Sequence, residues 1–336
     1  MFLIHTSPDH AETLAGAVVA ACRGEGWASA LQPRLLHTLF NHLLSRDLDF
    51  DALAPLRPDD VAAVLKSPQE RLELVQLMCA LEVLCKPVPE AMQLGIEDWA
   101  TALGVAEPSL LFLRDLAAGE TAKATHDYYR SNWIGDLDRT HPDIEALIAR
   151  LGDAALAQTP IEDPGLSARW RALGDCPTDS LGRRLSEFYR ARGFLLPGQV
   201  GGANESVAQH DWVHVLADYG TTPLGEVEVF SFLASCSRTP GATMGLIGAL
   251  GLFESGAFSG SVIAGTHEHQ SLSLPGGMER MAEAMERGKA CNTDVLGFDF
   301  FTVADQPIDT VRSRFGIPAK SAAVLALDPV GAGTPR

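Results

Sequence analysis

At 336 residues the chain is about twice the usual domain length, enough for two hydrophobic cores without disulfide staples. Its 46% hydrophobic and 21% charged residues are those of an ordinary folded protein, which excludes the disordered and collagen-like classes. Acidic residues outnumber basic ones 43 to 26, giving a formal net charge of −17 with no basic stripe or tail, so sequence-independent binding of nucleic acid is disfavoured.

The chain starts Met1-Phe2-Leu3-Ile4-His5, with Asp9 and Glu12 soon after, and shows neither the positive segment nor the sustained apolar run of a signal peptide. The six cysteines (22, 79, 85, 176, 236 and 291) form no CxxC pair, which suits reduced core thiols better than a disulfide or thiolate-zinc framework. A cytoplasmic location is expected. The longest uncharged stretch, from Gly241 to Phe253, is too short to cross the ~30 Å hydrocarbon core of a bilayer as a helix.

From Pro33 to about Lys123 apolar residues recur at three- and four-residue steps, as in Leu35, Leu36, Leu39, Leu43 and in Leu74, Val75, Met78, Leu81. Breaks fall at Arg57-Pro58-Asp59-Asp60, Lys86-Pro87-Val88-Pro89 and Glu107-Pro108-Ser109, with Ser67 and Asp98 as candidate N-caps. The spacing predicts four or five short helices, forming an acidic N-terminal domain over residues 1–125. That module loosely resembles helical domains of the TerB type.

After the aromatic-polar stretch Tyr128 to Trp133, a capped helix is predicted near Thr140 to Gln158. The run Thr159-Pro160-Ile161-Glu162-Asp163-Pro164-Gly165 then reads as an elbow. Further helices are predicted near 166–174, 180–192, 204–219, 222–236, 240–253, 276–290 and 306–315. Strand-like alternation is rare throughout, so the fold class is all-α, in two helical domains. The second domain covers 126–325, and the Gly/Pro-rich residues 326–336 are expected to form a mobile tail.

The chemistry concentrates between Gln209 and Glu226. On a helix His210, Asp211 and His214 share one side, because positions i, i+1 and i+4 do. Gly220 is the expected left-handed helix stop, while Thr222 and Pro223 spell the N-cap and first residue of the next helix. A helical hairpin then brings Glu226 level with the first three residues. Two imidazoles and two carboxylates make a divalent metal site: zinc first, or iron or manganese, since two histidines and a carboxylate also suit non-haem iron. Asp211 and Glu226 are the candidate catalytic groups.

The pattern His-Asp-x-x-His, eleven residues, Glu resembles the signature of the Coq4 proteins of ubiquinone biosynthesis, and stands complete as His210, Asp211, His214 and Glu226. Leu181-Gly182-Arg183-Arg184-Leu185-Ser186-Glu187-Phe188-Tyr189, Gly193-Phe194, Gly225-Glu226-Val227 and a closing helix near Thr310 to Ile317 extend the likeness over roughly 165–318. The resemblance implies a Coq4-like helical bundle acting on a polyprenylated ring precursor and replacing its C1 carboxyl group by hydroxyl. It also implies work at a membrane surface beside other quinone-biosynthesis proteins. The contrasting possibility is a non-catalytic, metal-stabilised scaffold that holds such lipids.

Two further features bear on the lipid. Gly241, Gly245 and Gly248 leave a helix stripe without side chains, flanked by Met244, Ile247, Leu250 and Phe253, and are the candidate prenyl groove. Arg183, Arg184, Arg190 and Arg192 precede the apolar Phe194-Leu195-Leu196 and could rest on an anionic, inner-membrane surface. His267-Glu268-His269 is a weaker metal candidate. A homo-oligomer is expected.

Overall fold

The computed structural model describes residues 3–133, 146, 149–150, 152, 157–238, 241–257, 270–328 and 331–333. Among them are fifteen α-helices and no strand, as the sequence periodicity requires. In chain order these are α1 (Ala11–Val18), α2 (Leu31–Leu44), α3 (Pro58–Val64), α4 (Pro68–Glu82), α5 (Glu90–Leu103), α6 (Ser109–Ala117), α7 (Thr121–Ser131) and α8 (Pro164–Arg171). They are followed by α9 (Leu181–Arg192), α10 (Glu205–Ala217), α11 (Pro223–Cys236), α12 (Ala242–Leu250), α13 (Gly277–Ala290), α14 (Ile308–Phe315) and α15 (Ala322–Leu327). The helix expected near Thr140 to Gln158 and the His267-Glu268-His269 triplet fall largely or wholly outside the described residues.

From α8 to α14 the predicted boundaries hold to within a few residues, because Pro and capping side chains define them. Asp163, Ser180, Asn204 and Thr222 each accept a backbone N–H of the first turn of the helix they open. Asp98 is not an N-cap. It lies inside α5, which opens after Pro89 and continues unbroken because Ile96, Trp99, Ala100 and Leu103 keep the apolar period. Ser67 does precede α4, but its hydroxyl makes no capping bond.

The centre of the molecule is α11, apolar around nearly its whole circumference and packed along α12 and α13. Its two internal carboxylates have different fates. Glu226 faces the candidate site. Glu228, fully buried, receives Arg280 of α13 in a two-pronged ion pair, with Nε 3.0 Å from Oε1 and Nη2 2.5 Å from Oε2. Asp328 and Lys320 complete that buried network.

Contacts across residue 125 are extensive. α2 packs on α13, with His42 Nδ1 3.1 Å from Glu286 Oε1, and α12 packs on α4 and α7. One continuous set of buried apolar residues runs through both halves. The physical reason is α7, which straddles the boundary and puts its Tyr128 ring against α12.

The described residues of the segment expected to be a mobile tail are held in place. α15 ends within it, at Leu327, and Asp328 is held by Arg280 and Lys320. Ala332 donates its N–H to Asp218 Oδ1 at 3.1 Å and accepts from Arg192 Nη2 at 3.2 Å. Small residues at this end allow close backbone approach rather than freedom.

Candidate metal centre

The site is carried by α10, α11 and the turn between them. α10 opens at Asn204, whose side chain accepts the Val207 N–H at 2.8 Å. Its left-handed stop is Asp218 (φ 62°, ψ 50°), not Gly220 as the sequence suggested. Aspartate tolerates this conformation, and its carboxylate is occupied by the Ala332 N–H. Gly220 and Gly225 serve a different purpose: a Cβ on Gly225 would overlap the Gly220 carbonyl, so the hairpin closes this tightly only with glycine at 225.

The structure brings all four sequence-predicted ligands together. Nitrogen and oxygen atoms of His210, Asp211 and His214 lie within 4.8 Å of one another. Glu226 Oε2 reaches across the hairpin to 3.4 Å from His214 Nε2 and 3.8 Å from His210 Nε2. Asp211 Oδ1 is 3.5 Å from His210 Nε2. All four side chains are largely buried.

Both rings are oriented through their far nitrogens. His214 Nδ1 donates to the Tyr219 carbonyl at 3.2 Å, and His210 Nδ1 donates to the Val207 carbonyl. That tautomer leaves each Nε2 with a lone pair aimed at the cluster. Phenylalanine rings lie against the imidazoles, Phe188 on His214 at 5.5 Å and Phe230 on His210 at 5.7 Å between centroids. Asp211 Oδ2 accepts the Tyr189 hydroxyl at 2.5 Å.

These residues fit a bound cation. His214 Nε2 is buried and has no hydrogen-bond partner, since its 3.4 Å approach to Glu226 lacks hydrogen-bond geometry. A buried acceptor facing two carboxylates and a second imidazole is the donor set of a divalent metal site. Burial alone would raise the Glu226 carboxyl, but His214, His210 and Arg192 outweigh it and hold the group below its ordinary value, as an anion. For His214 burial lowers the basicity, and the Glu226 charge overrides it, so the imidazole sits above its usual range. Burial and the Asp211 charge push the Tyr189 phenol well up, which keeps it a hydrogen-bond donor.

A cavity of about 360 Å³ opens onto His210, Asp211 and Glu226. Its walls are Tyr189, Val207, Thr221 and the segment around Gly193, Phe194, Leu195, Gly201 and Gly202. Residues 159–163 run against 198–202, with Thr159 N–H bonded to Gly202 O and Asp163 N–H to Gly198 O. Ile161 and Val200 stand exposed on these two segments, and Phe194 and Leu195 just before the second.

The glycine stripe is not a groove into this cavity. A Cβ on Gly245 would meet Trp133 and Phe230, and one on Gly248 would overlap the Tyr128 ring. α7 and the residues after it therefore fill the stripe, the ordinary use of small residues where helices pack. Gly241 does line a cavity of about 620 Å³ with Met244, but its other walls include His5, Glu73, Gln76 and Glu107, and no metal-site residue reaches it.

Sequence reasoning missed Tyr189, Arg192, Phe188 and Phe230 as members of the site. Phe230 was legible, one turn beyond Glu226 on the same helix. The other three come from α9, a separate helix whose spacing to α10 no local pattern encodes.

No family model matches the chain, and no curated protein matches it. Among solved structures it is similar to a Nostoc punctiforme crystal structure described as that of a candidate ubiquinone biosynthesis protein. The two share 15% sequence identity, the match covers 73% of this chain and 97% of that one, and the TM-score is 0.35.

Proposed function

We propose that the chain is a Coq4-like, metal-dependent protein of polyprenyl quinone biosynthesis that replaces the C1 carboxyl of a prenylated ring precursor by hydroxyl. The observation that carries the reading is the partnerless, buried Nε2 of His214, set among His210, Asp211 and Glu226 at the spacing of the family pattern. A divalent ion there, zinc or alternatively iron or manganese, would supply Lewis-acid binding for the carboxylate or phenolate of the ring. The residues' own parts are distinct. His210 and His214 present Nε2, Tyr189 holds Asp211, and the Arg192 charge helps keep Glu226 anionic. Glu226, and as the alternative Asp211, is the candidate group to accept a proton from the ring hydroxyl. The exchange is a two-electron oxidation of an electron-rich ring with molecular oxygen as oxidant: the ring acid, oxygen and water give the hydroxylated ring, carbon dioxide and hydrogen peroxide.

The exposed apolar Phe194 and Leu195 in the cavity wall, with Ile161 and Val200 exposed on the adjoining loops, suit an apolar tail leaving the site there, toward a membrane surface. The complete burial of His214 Nε2 favours a second reading, a closed four-ligand site that only stabilises a lipid-holding scaffold.

Two measurements decide. Purified protein is analysed for metal content and coordination number, where an open position supports the enzyme and a closed tetrahedron the scaffold. Metal-loaded protein is then given a prenylated hydroxybenzoate labelled at the carboxyl carbon, in oxygen. Release of labelled carbon dioxide with formation of the hydroxylated ring is expected. No release under any metal loading would overturn the enzymatic reading.

A further inference from the structure

We infer that the Tyr189 hydroxyl is a positioning group, fixing Asp211 so that it offers a metal ion one oxygen and not two. The inference rests on the reading of His210, Asp211, His214 and Glu226 as a metal centre and adds what sets its coordination. Tyr189 comes from α9, is 3% exposed, and donates to Asp211 Oδ2 at 2.5 Å. The other oxygen, Oδ1, is the one turned toward His210 Nε2, at 3.5 Å.

The phenol cannot swing away. Its ring lies 5.5 Å from Trp170 and 5.8 Å, edge-on, from Phe194. A carboxylate with one oxygen engaged by such a donor binds a cation through the other, because the engaged lone pairs would have to break a charge-assisted bond to take part. The consequence is chemical. With Asp211 restricted to one oxygen, the four side chains would offer a metal ion four donor atoms and not five, so a ligand arriving through the cavity that Tyr189 itself walls would take the fifth position and not the sixth.

The test uses cobalt(II) as the probe metal, titrated into the full chain and followed by its visible bands. Wild type is expected to bind one equivalent. Tyr189→Phe should bind roughly ten- to a hundredfold more weakly, the usual effect of removing a group that orients a metal ligand, and with less intense bands as Asp211 becomes bidentate. Phe194→Leu, which removes the edge contact but keeps the hydroxyl, should retain wild-type affinity and spectrum.

Equal affinity and an unchanged spectrum in Tyr189→Phe would overturn the inference while leaving the metal centre standing. So would a spectrum in Phe194→Leu altered as much as in Tyr189→Phe, which would make the effect one of packing. Failure of wild type to bind cobalt, zinc or iron would overturn the metal centre and the inference with it. Should Tyr189→Phe not fold, the carboxylate stretching bands of carbon-13 aspartate in the metal-loaded wild type decide alone: the wide splitting of one-oxygen binding supports the role, and a bidentate splitting refutes it.

Discussion

His214 Nε2 and Glu226 Oε2 stand 3.4 Å apart across the helical hairpin, and the buried nitrogen has no hydrogen bond to any other group. An arrangement that leaves such an atom unpaired is costly unless something else occupies its lone pair. Metal loss is therefore the sharpest consequence of removing it. His214→Ala should retain its helical circular dichroism and bind zinc at least ~10-fold more weakly than wild type, a typical cost for a lost ligand or its support. Elemental analysis after dialysis checks this, and full occupancy in the variant would refute the role.

Glu82, at the end of α4, is buried with both carboxylate oxygens unpartnered, and burial, helped by Glu97, pushes its pKa up to about 8. In the unfolded chain the group ionises in the ordinary carboxylate range. Between these values the native state holds a proton the unfolded state has released, so stability falls as pH rises from about 5 to 8, by ~1.4 kcal/mol per unit at most. Glu82→Gln should flatten that slope and be the more stable protein at pH 8. Denaturant melts at four pH values measure it, and parallel curves for the two proteins would refute the prediction.

Gly245→Leu and Gly248→Leu force a side chain into Trp133 and Tyr128. Overpacking of this kind costs roughly 1–3 kcal/mol or more. Both variants should melt several degrees lower yet still bind metal at the hairpin. A variant with unchanged melting would mean that the α7–α12 contact is not part of the folded protein in solution.

The Glu228–Arg280 pair should behave asymmetrically. Arg280→Met leaves Glu228 charged and buried, which costs about 3–5 kcal/mol, whereas Glu228→Leu combined with Arg280→Met removes both charges and should recover much of the loss. Equal destabilisation in the single and double variants would contradict this account.

The parts of the structure legible in the sequence were those governed by neighbours in the chain. Asn204, Thr222 and Pro223 announce the helix starts, and the spacing of His210, Asp211, His214 and Glu226 is enough to predict one cluster, because helix period and hairpin length are local quantities. Reading failed where a distant segment decides. Gly245 and Gly248 look like an empty stripe until Tyr128 and Trp133 arrive from α7, and the stop at Asp218 instead of Gly220 depends on Ala332. Asp98 failed for a local reason: a capping residue type without a break in apolar period does not start a helix. Tyr189 lay within a stretch read for family likeness, and nothing in that stretch tells that its hydroxyl meets Asp211.

The clasp formed by Ala332 on Asp218 and Arg192 also sets an order of events during synthesis. Ala332 leaves the ribosome 114 residues after the aspartate it holds, by which time α9, α10 and α11 have all been made. The turn that aligns His214 with Glu226 thus waits, during translation, for its last fastener. A nascent chain arrested before residue 331 would carry every metal-binding side chain and still lack the contact that locks their hairpin.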